Sequence, residues 1–260
     1  MVFGMFFPKL VQKFLSGVGW RYGYDLIKRG QLGQSVGDQY LLRLINEFKI
    51  GGVVDVGANG GQYARRLREQ SDYCGLIHSY EPLPFLFQEL KKISLRDPQW
   101  EIFPFAVDTM AGKAVFNVMA GSEFSSLLKP SDNFQGSFGG QNKVTSEIAV
   151  DVVSLDDVAH NVFDDNPDMC ALLKLDTQGT ELRILSSNVD VLRKFVAVQV
   201  ELSFQPIYQN SPSAPEVINW MSDAGFELSI LFANNAGHFP HLLEMDSVFV
   251  RKDLLASYKI

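Results

Sequence analysis

Short apolar runs alternate with segments of helical period over most of the 260-residue chain. Residues 52–57 form a near-continuous hydrophobic run, the pattern of a strand buried on both faces, and residues 62–70 follow with helical spacing. Residues 75–81 repeat the strand pattern, and residues 84–96 place Leu86, Leu90 and Ile93 on one helical face. These four segments make one βαβα unit. Further strands are predicted at 101–106, 113–118 and 148–153, then a short helix over 154–163 with Ser154 as its N-cap. The alternation resumes with a strand at 171–176, a helix at 180–187 and a strand at 195–201. A helix at 215–224, closed by Gly225, and two last strands at 226–232 and 246–250 complete it. Such alternation predicts an α/β fold whose sheet is mostly parallel, doubly wound and covered on both faces.

Two segments break the rhythm. Residues 121–147 are a polar, Gly/Ser/Asn-rich stretch of 27 residues, longer than an idle connection in a compact domain. The expectation is a lid over a site, with a disordered insertion as the alternative. Near the N-terminus, Phe3, Phe6, Phe7, Leu10, Val11, Phe14, Leu15 and Val18 recur at helical spacing, with Lys9, Gln12 and Lys13 opposite and Pro8 placed to start the helix. The chain thus divides into a basic amphipathic helical arm, residues 1–44, and an α/β domain, residues 45–260.

Charge sharpens that division. The net −7 conceals six cations against two acids in residues 1–46, so the arm is about +4 and the remainder about −11. An acidic body excludes nucleic acid as the main partner, because phosphate-backbone binding depends on many Lys and Arg contacts. With 46% hydrophobic and 20% charged residues the chain has material for a core, and no internal repeat interrupts it. Cys74 and Cys170 sit beside apolar residues that read as strands, and both are expected as buried thiols in a reducing compartment. The first 20 residues lack the cation-first order of a secretory signal, and Lys9 and Lys13 interrupt them well short of a membrane span. Residues 1–20 are expected to pack on the domain or across a dimer, with a peripheral membrane contact as the alternative.

The strongest chemical signal is the run from Val53 to Tyr63, a buried strand leading through Asp55, Gly57, Ala58, Asn59, Gly60 and Gly61 into a helix at Gln62. Backbone N–H groups and a helix N-terminus then face whatever binds above the sheet. From Asp55 the register is D-x-G-x-N-x-G rather than the dinucleotide G-x-G-x-x-G, and no Walker lysine follows. Asn59 tolerates positive φ better than most residues, which keeps the turn viable. Glu81 ends the second strand 20 positions beyond Gly61, where a carboxylate can accept both hydroxyls of a ribose. Asp176 and Glu201 end two later strands, so four carboxylates, Asp55, Glu81, Asp176 and Glu201, are expected on one rim. Capping of nearby backbone N–H groups is the competing role for Asp176 and Glu201. His238 and His241, before the last strand, suit base work at neutral pH, or are merely exposed loop imidazoles. His78 and His160 read as structural.

The ordered set DVGANGGQYA at 55–64, HSYEP at 78–82, FAVD at 105–108, VVSLDD at 152–157, LLKLDTQGTELRIL at 172–185, VQVELS at 198–203 and DSVFVR at 246–251 resembles the FkbM-type S-adenosylmethionine-dependent methyltransferases over residues 45–252. The resemblance implies a seven-stranded, Rossmann-like class I methyltransferase sheet with a last antiparallel strand, and a cytoplasmic location. It implies O-methylation of a hydroxyl on a small molecule, sugar or glycan. Carried over, it puts the methionine part of the cofactor at Asp55, Gly57, Ala58, Asn59 and Gly61, with Gln62 and Tyr63 on the next turn. Glu81, followed by Pro82, would hold the ribose, and Ala106, Val107 and Asp108 would border the adenine. Asp176 falls beside the methyl group and acceptor, and Gln178 stands where many members have glutamate. Asp176, Glu201 and His238 are the candidate catalytic groups, with a Mg²⁺ shared by Asp176 and Glu201 as a further candidate. An NAD-dependent oxidoreductase and a non-catalytic nucleoside-cofactor-binding domain recruited by the arm are the alternatives.

Overall fold

The computed structural model describes residues 32–134, 138–233 and 240–258. The phenylalanine-rich helix and the contacts expected of residues 1–20 lie outside the described residues. Helix α1 (Leu32–Glu47) runs across residues 44 and 45 and buries Leu41, Leu44 and Ile45. Then follow β1 (Gly52–Val56), α2 (Gln62–Gln70), β2 (Leu76–Tyr80), α3 (Pro84–Ser94) and β3 (Trp100–Phe103). Next come β4 (Ala106–Asp108), β5 (Gly112–Met119), β6 (Val144–Ser154) and α4 (Leu155–Phe163). The chain continues through β7 (Ala171–Leu175), α5 (Glu181–Ser187), α6 (Val189–Leu192) and β8 (Ala197–Ser203). It ends with α7 (Ala214–Asp223), β9 (Phe226–Phe232), β10 (Glu244–Arg251) and α8 (Lys252–Leu255).

Seven strands form one sheet in the order β3-β2-β1-β7-β8-β10-β9, with β10 antiparallel to both its neighbours and every other pairing parallel. This is the class I methyltransferase arrangement, last antiparallel strand included. Every residue of β1 and β7 is buried, which is why both read as continuous hydrophobic runs. Period two splits them between two cores. Val54, Val56, Leu173, Leu175, Val198 and Val200 face α4, α5 and α7 through Leu155, Val158, Ile184 and Val217. Val53, Leu172, Ala197 and Val248 face α1 and α2 through Leu41, Leu44, Ala64 and Leu67.

The chain leaves β1 toward β2 and β3 on one side and builds β7 and β8 on the other. Strand order therefore reverses between β1 and β7, and the loops above that point diverge and leave a crevice at the carboxyl ends.

Several expectations are corrected. The strand predicted at 101–106 is two: β3 stays in the large sheet, and β4 pairs with β6 in a separate three-stranded sheet of order β4-β6-β5. That sheet packs Ala106, Phe116, Val150 and Val152 on Leu83 and Leu86 at the start of α3. The polar stretch ends at residue 143, because Val144 already pairs with Met119. Its Thr145, Ser146 and Glu147 are exposed, so this half of β6 carries the composition of a loop. Ile93 is exposed, and Leu86, Leu90 and Ser94 form the buried row of α3 instead. Cys74 is exposed in the turn before β2, and Cys170, just ahead of β7, is only partly covered. The Ser154 cap is present as a reciprocal capping box with Asp157. Among the described residues no helix is long and apolar enough to cross a membrane.

Leu173 is fully buried in the central strand, whereas Leu95 is 79% exposed. Leu173→Ala is expected to cost about 2–5 kcal/mol in urea denaturation. Leu95→Ala should stay within about 0.5 kcal/mol of the parent.

Candidate functional site

Where β1 ends, Gly57 has φ 75°, and a Cβ there would lie 1.9 Å from the Asp176 carbonyl oxygen. Only glycine fits both the dihedral and the close approach of the β7 backbone. Asn59 takes the next left-handed position at φ 47°, and its N–H donates to Glu81 Oε2 at 2.8 Å. Leu83 N–H donates to Glu81 Oε1, also at 2.8 Å. Glu81 thus fastens the β1 turn to the β2 turn. Burial pushes its carboxyl up to about 7, against the pull of the two N–H donors and with a further push from Asp55.

Register and period two put Asp55, Lys174 and Gln199 side by side on the face covered by α1 and α2. Lys174 Nζ lies 2.9 Å from Asp55 Oδ1, 3.4 Å from Asp176 Oδ2 and 3.2 Å from the Gly57 carbonyl oxygen, to which it donates. The Tyr63 ring covers it at 5.4 Å, and the Tyr63 hydroxyl donates to Gln199 Oε1 at 2.9 Å. Burial opposes the ammonium charge, but Asp55 and Asp176 outweigh it and hold Lys174 above the ordinary lysine value.

One ladder step higher come Asp176, Glu201 and Asp246, with Glu201 directly across from Asp246. The Gln178 amide donates to Asp176 Oδ1 at 2.8 Å and to Glu201 Oε2 at 2.9 Å. Gln178 is held at φ 59°, which turns its amide back over the strand ends. The Tyr208 hydroxyl lies 2.7 Å from Gln178 Oε1 and 2.9 Å from the Phe124 carbonyl oxygen, and with one hydrogen it donates to one of them at a time. Phe124 belongs to a short 3₁₀ turn, Ser122–Phe124, whose Ser122 hydroxyl donates to Asn59 Oδ1 at 3.2 Å. Ser126 in turn donates to the Gln178 carbonyl oxygen at 2.8 Å. The first part of the polar stretch therefore roofs the crevice, and the space beneath it is a cleft of about 310 Å³.

The sequence profile of the methyltransferase FkbM domain matches residues 55–228, from Asp55 in β1 to within β9. The chain belongs to the FkbM methyltransferase family. Similar solved structures include Aeropyrum pernix fibrillarin with S-adenosyl-L-methionine, at 14% identity and TM-score 0.44, covering 83% of this chain and 74% of that one. Magnesium protoporphyrin IX methyltransferase from Synechocystis, also with S-adenosylmethionine bound, is 11% identical at TM-score 0.40, covering 94% and 96%. The 1,6-didemethyltoxoflavin-N1-methyltransferase of Burkholderia thailandensis is 11% identical at TM-score 0.43, covering 97% and 94%. A comparison with curated proteins finds no significant match.

Of the residues singled out in the sequence of this FkbM methyltransferase, Gly57, Ala58, Asn59, Gln62, Tyr63, Glu81, Pro82, Ala106, Val107, Asp176 and Glu201 line the cleft. Asp55, Gly61 and Asp108 do not line it. Asp55 is fully buried below the rim on Lys174, and Gly61 at φ 73° lets the chain pass Leu90 and Trp100. Asp108 pairs with Arg183 at 2.7 Å. His238 lies outside the described residues, and His241 is exposed. Lys174, Gln199, Glu244 and Asp246 also line the cleft and were missed. Lys174 and Gln199 could have been noticed as polar residues at core-facing positions of buried strands. The cleft fits a cationic nucleoside donor through Glu81 at its β2 end and acids facing its centre. Among the described residues no group of three or more His, Cys, Asp or Glu side chains is arranged to hold a metal ion, so the Mg²⁺ expectation is not carried forward.

Burial and the neighbouring Asp176 and Glu181 push Glu244 up to about 8, and burial and Asp176 push Asp246 up to about 7 against Lys174 and Arg66. Glu201 is raised by burial, Glu244 and Asp176. Acids raised on folding keep their protons in the native state after the unfolded chain has released them, so native stability falls as pH climbs from about 4.5 through about 8. The thermal midpoint of the ligand-free protein should drop over that window, and Glu244→Gln should flatten the drop. An unchanged slope in the variant would refute the assignment.

Proposed function

We propose that this methyltransferase moves the methyl group of S-adenosylmethionine to a hydroxyl on a sugar or other small polyhydroxylated acceptor. The observation that carries the reading is Asp176, a carboxylate at the switch point whose two oxygens are engaged from opposite sides by Gln178 and Lys174. The donor, when bound, supplies a methyl group on an activated sulfonium, so the protein's share of the chemistry is alignment and proton removal. Glu81, with both oxygens already oriented by backbone N–H groups, retains lone pairs for the ribose hydroxyls. The turn from Gly57 to Asn59 supplies close backbone approach at the head of α2.

An aliphatic hydroxyl must lose its proton as it attacks, and a placed base contributes roughly 10²–10⁴-fold. Asp176 is that base in this reading. The Gln178 amide fixes one oxygen and holds Glu201 beside it, and the hydroxyl proton passes to the Asp176 carboxylate, which becomes a neutral carboxylic acid.

Calorimetry on the full chain should show S-adenosylmethionine binding that is abolished in Gly57→Val and weakened at least about tenfold in Glu81→Ala, the loss of charged hydrogen bonds to the ligand. Absence of binding by the intact protein would overturn the proposal. Asp176→Asn should retain donor binding and lose methyl transfer to any acceptor the parent accepts.

A further inference from the structure

Thr180 precedes α5, at the position where a threonine side chain ordinarily accepts a hydrogen bond from a backbone N–H in the first turn of the helix. It makes no such bond. Glu181 secures this loop instead, its carboxylate accepting from the Thr177 N–H at 2.8 Å and the Gly179 N–H at 3.0 Å. The Thr180 hydroxyl is left without a hydrogen-bond partner among the described residues, although the residue is only 1% exposed. A buried hydroxyl in that state is costly. Thr180 lines the cleft, where a ligand can supply the missing partner.

The elements around Thr180 set which part of the cleft it serves. α5 packs on β4, and Arg183 pairs with Asp108 at 2.7 Å, which keeps that carboxylate out of the cleft. Ile184 of α5 joins Val56, Tyr80 and Val107 in one core, and those three line the cleft together with Phe105 and Thr180. Tyr80 directly precedes Glu81, so this apolar and aromatic wall adjoins the carboxylate that suits a ribose. A nucleoside held there by its sugar lays a flat base against the wall, and the polar edge of the base then needs a partner. Both hydrogen-bonding edges of adenine share its exocyclic amine, a donor flanked by a ring-nitrogen acceptor. A hydroxyl, with lone pairs to accept and one hydrogen to donate, matches either edge.

We infer that Thr180 is the residue that reads the base of the methyl donor, its hydroxyl accepting a hydrogen bond from the exocyclic amine of adenine. It takes the part that Asp108, paired with Arg183, does not play. The inference rests on the donor reading above and adds to it the group that selects adenine over a purine without the amine.

The test is calorimetry on the full chain with two probes, S-adenosylhomocysteine and its analogue whose purine lacks the exocyclic amine. The parent is expected to bind S-adenosylhomocysteine at least about fivefold more tightly than the analogue, the effect of one buried hydrogen bond. In Thr180→Val the affinity for S-adenosylhomocysteine should fall by about the same factor and the preference between the probes should shrink to within about twofold, whereas Thr180→Ser should keep both values within about twofold of the parent. The thermal midpoint of ligand-free Thr180→Val should equal or exceed the parent's, because valine removes an unpartnered buried hydroxyl; a purely structural hydroxyl would lower it on removal. An undiminished affinity or preference in Thr180→Val, a serine variant that behaves like the valine one, or a lowered midpoint, failure to fold included, overturns the inference. So does a parent that binds both probes equally. In each of these cases the parent still binds S-adenosylhomocysteine and the donor reading stands, whereas a parent that does not bind it loses both.

Discussion

The site is organised around the buried ammonium of Lys174. It lies in the strand next to β1, at the one place where the strand order reverses, and it draws three groups toward itself: the Asp55 carboxylate, the Asp176 carboxylate and the carbonyl of Gly57. A buried lysine without such partners would be strongly destabilising or would lose its charge. With them it becomes the tie between β1 and β7 and fixes the glycine turn relative to Asp176. Removing one member leaves the others as uncompensated buried charge, which is why such groups resist piecemeal substitution. The glycine at residue 57 follows from the same constraint, since the turn must pass the β7 backbone within contact distance.

Much of the fold could be read in the chain because the central strands are buried on both faces. Runs such as that ending at Val56, or Ala171 to Leu175, have no polar alternation to confuse with anything else. Legibility fails where a strand is half exposed. β6 begins with residues that resemble a loop, and β4 has three residues that merge into the pattern of β3. The second sheet was invisible for that reason, and with it the origin of the roof over the cleft.

In the site, the glycine turn, Glu81 and Asp176 were legible because their positions follow from strand ends and spacing. Asp55 was misjudged in its direction rather than its importance. A strand residue one step short of the carboxyl end points sideways into the core, and period two aims it at Lys174 instead of the crevice. Asp246 and Glu244 could not be assigned from the sequence, because β10 is antiparallel. Its first residues, not its last, reach the rim, so the rule of looking at the carboxyl ends of strands passes over them.

The tyrosine at residue 208 has a single hydrogen for two acceptors, one in the roof and one in the amide that spans Asp176 and Glu201. Whichever acceptor it serves, the other must find a different donor or go without. Roof and acid cluster thus compete for one proton. The anchoring of the Ser122–Phe124 turn and the orientation of the Gln178 amide are alternatives weighed against each other, so an acceptor that displaces either contact alters the strength of the other at no distance cost, through a shared phenol.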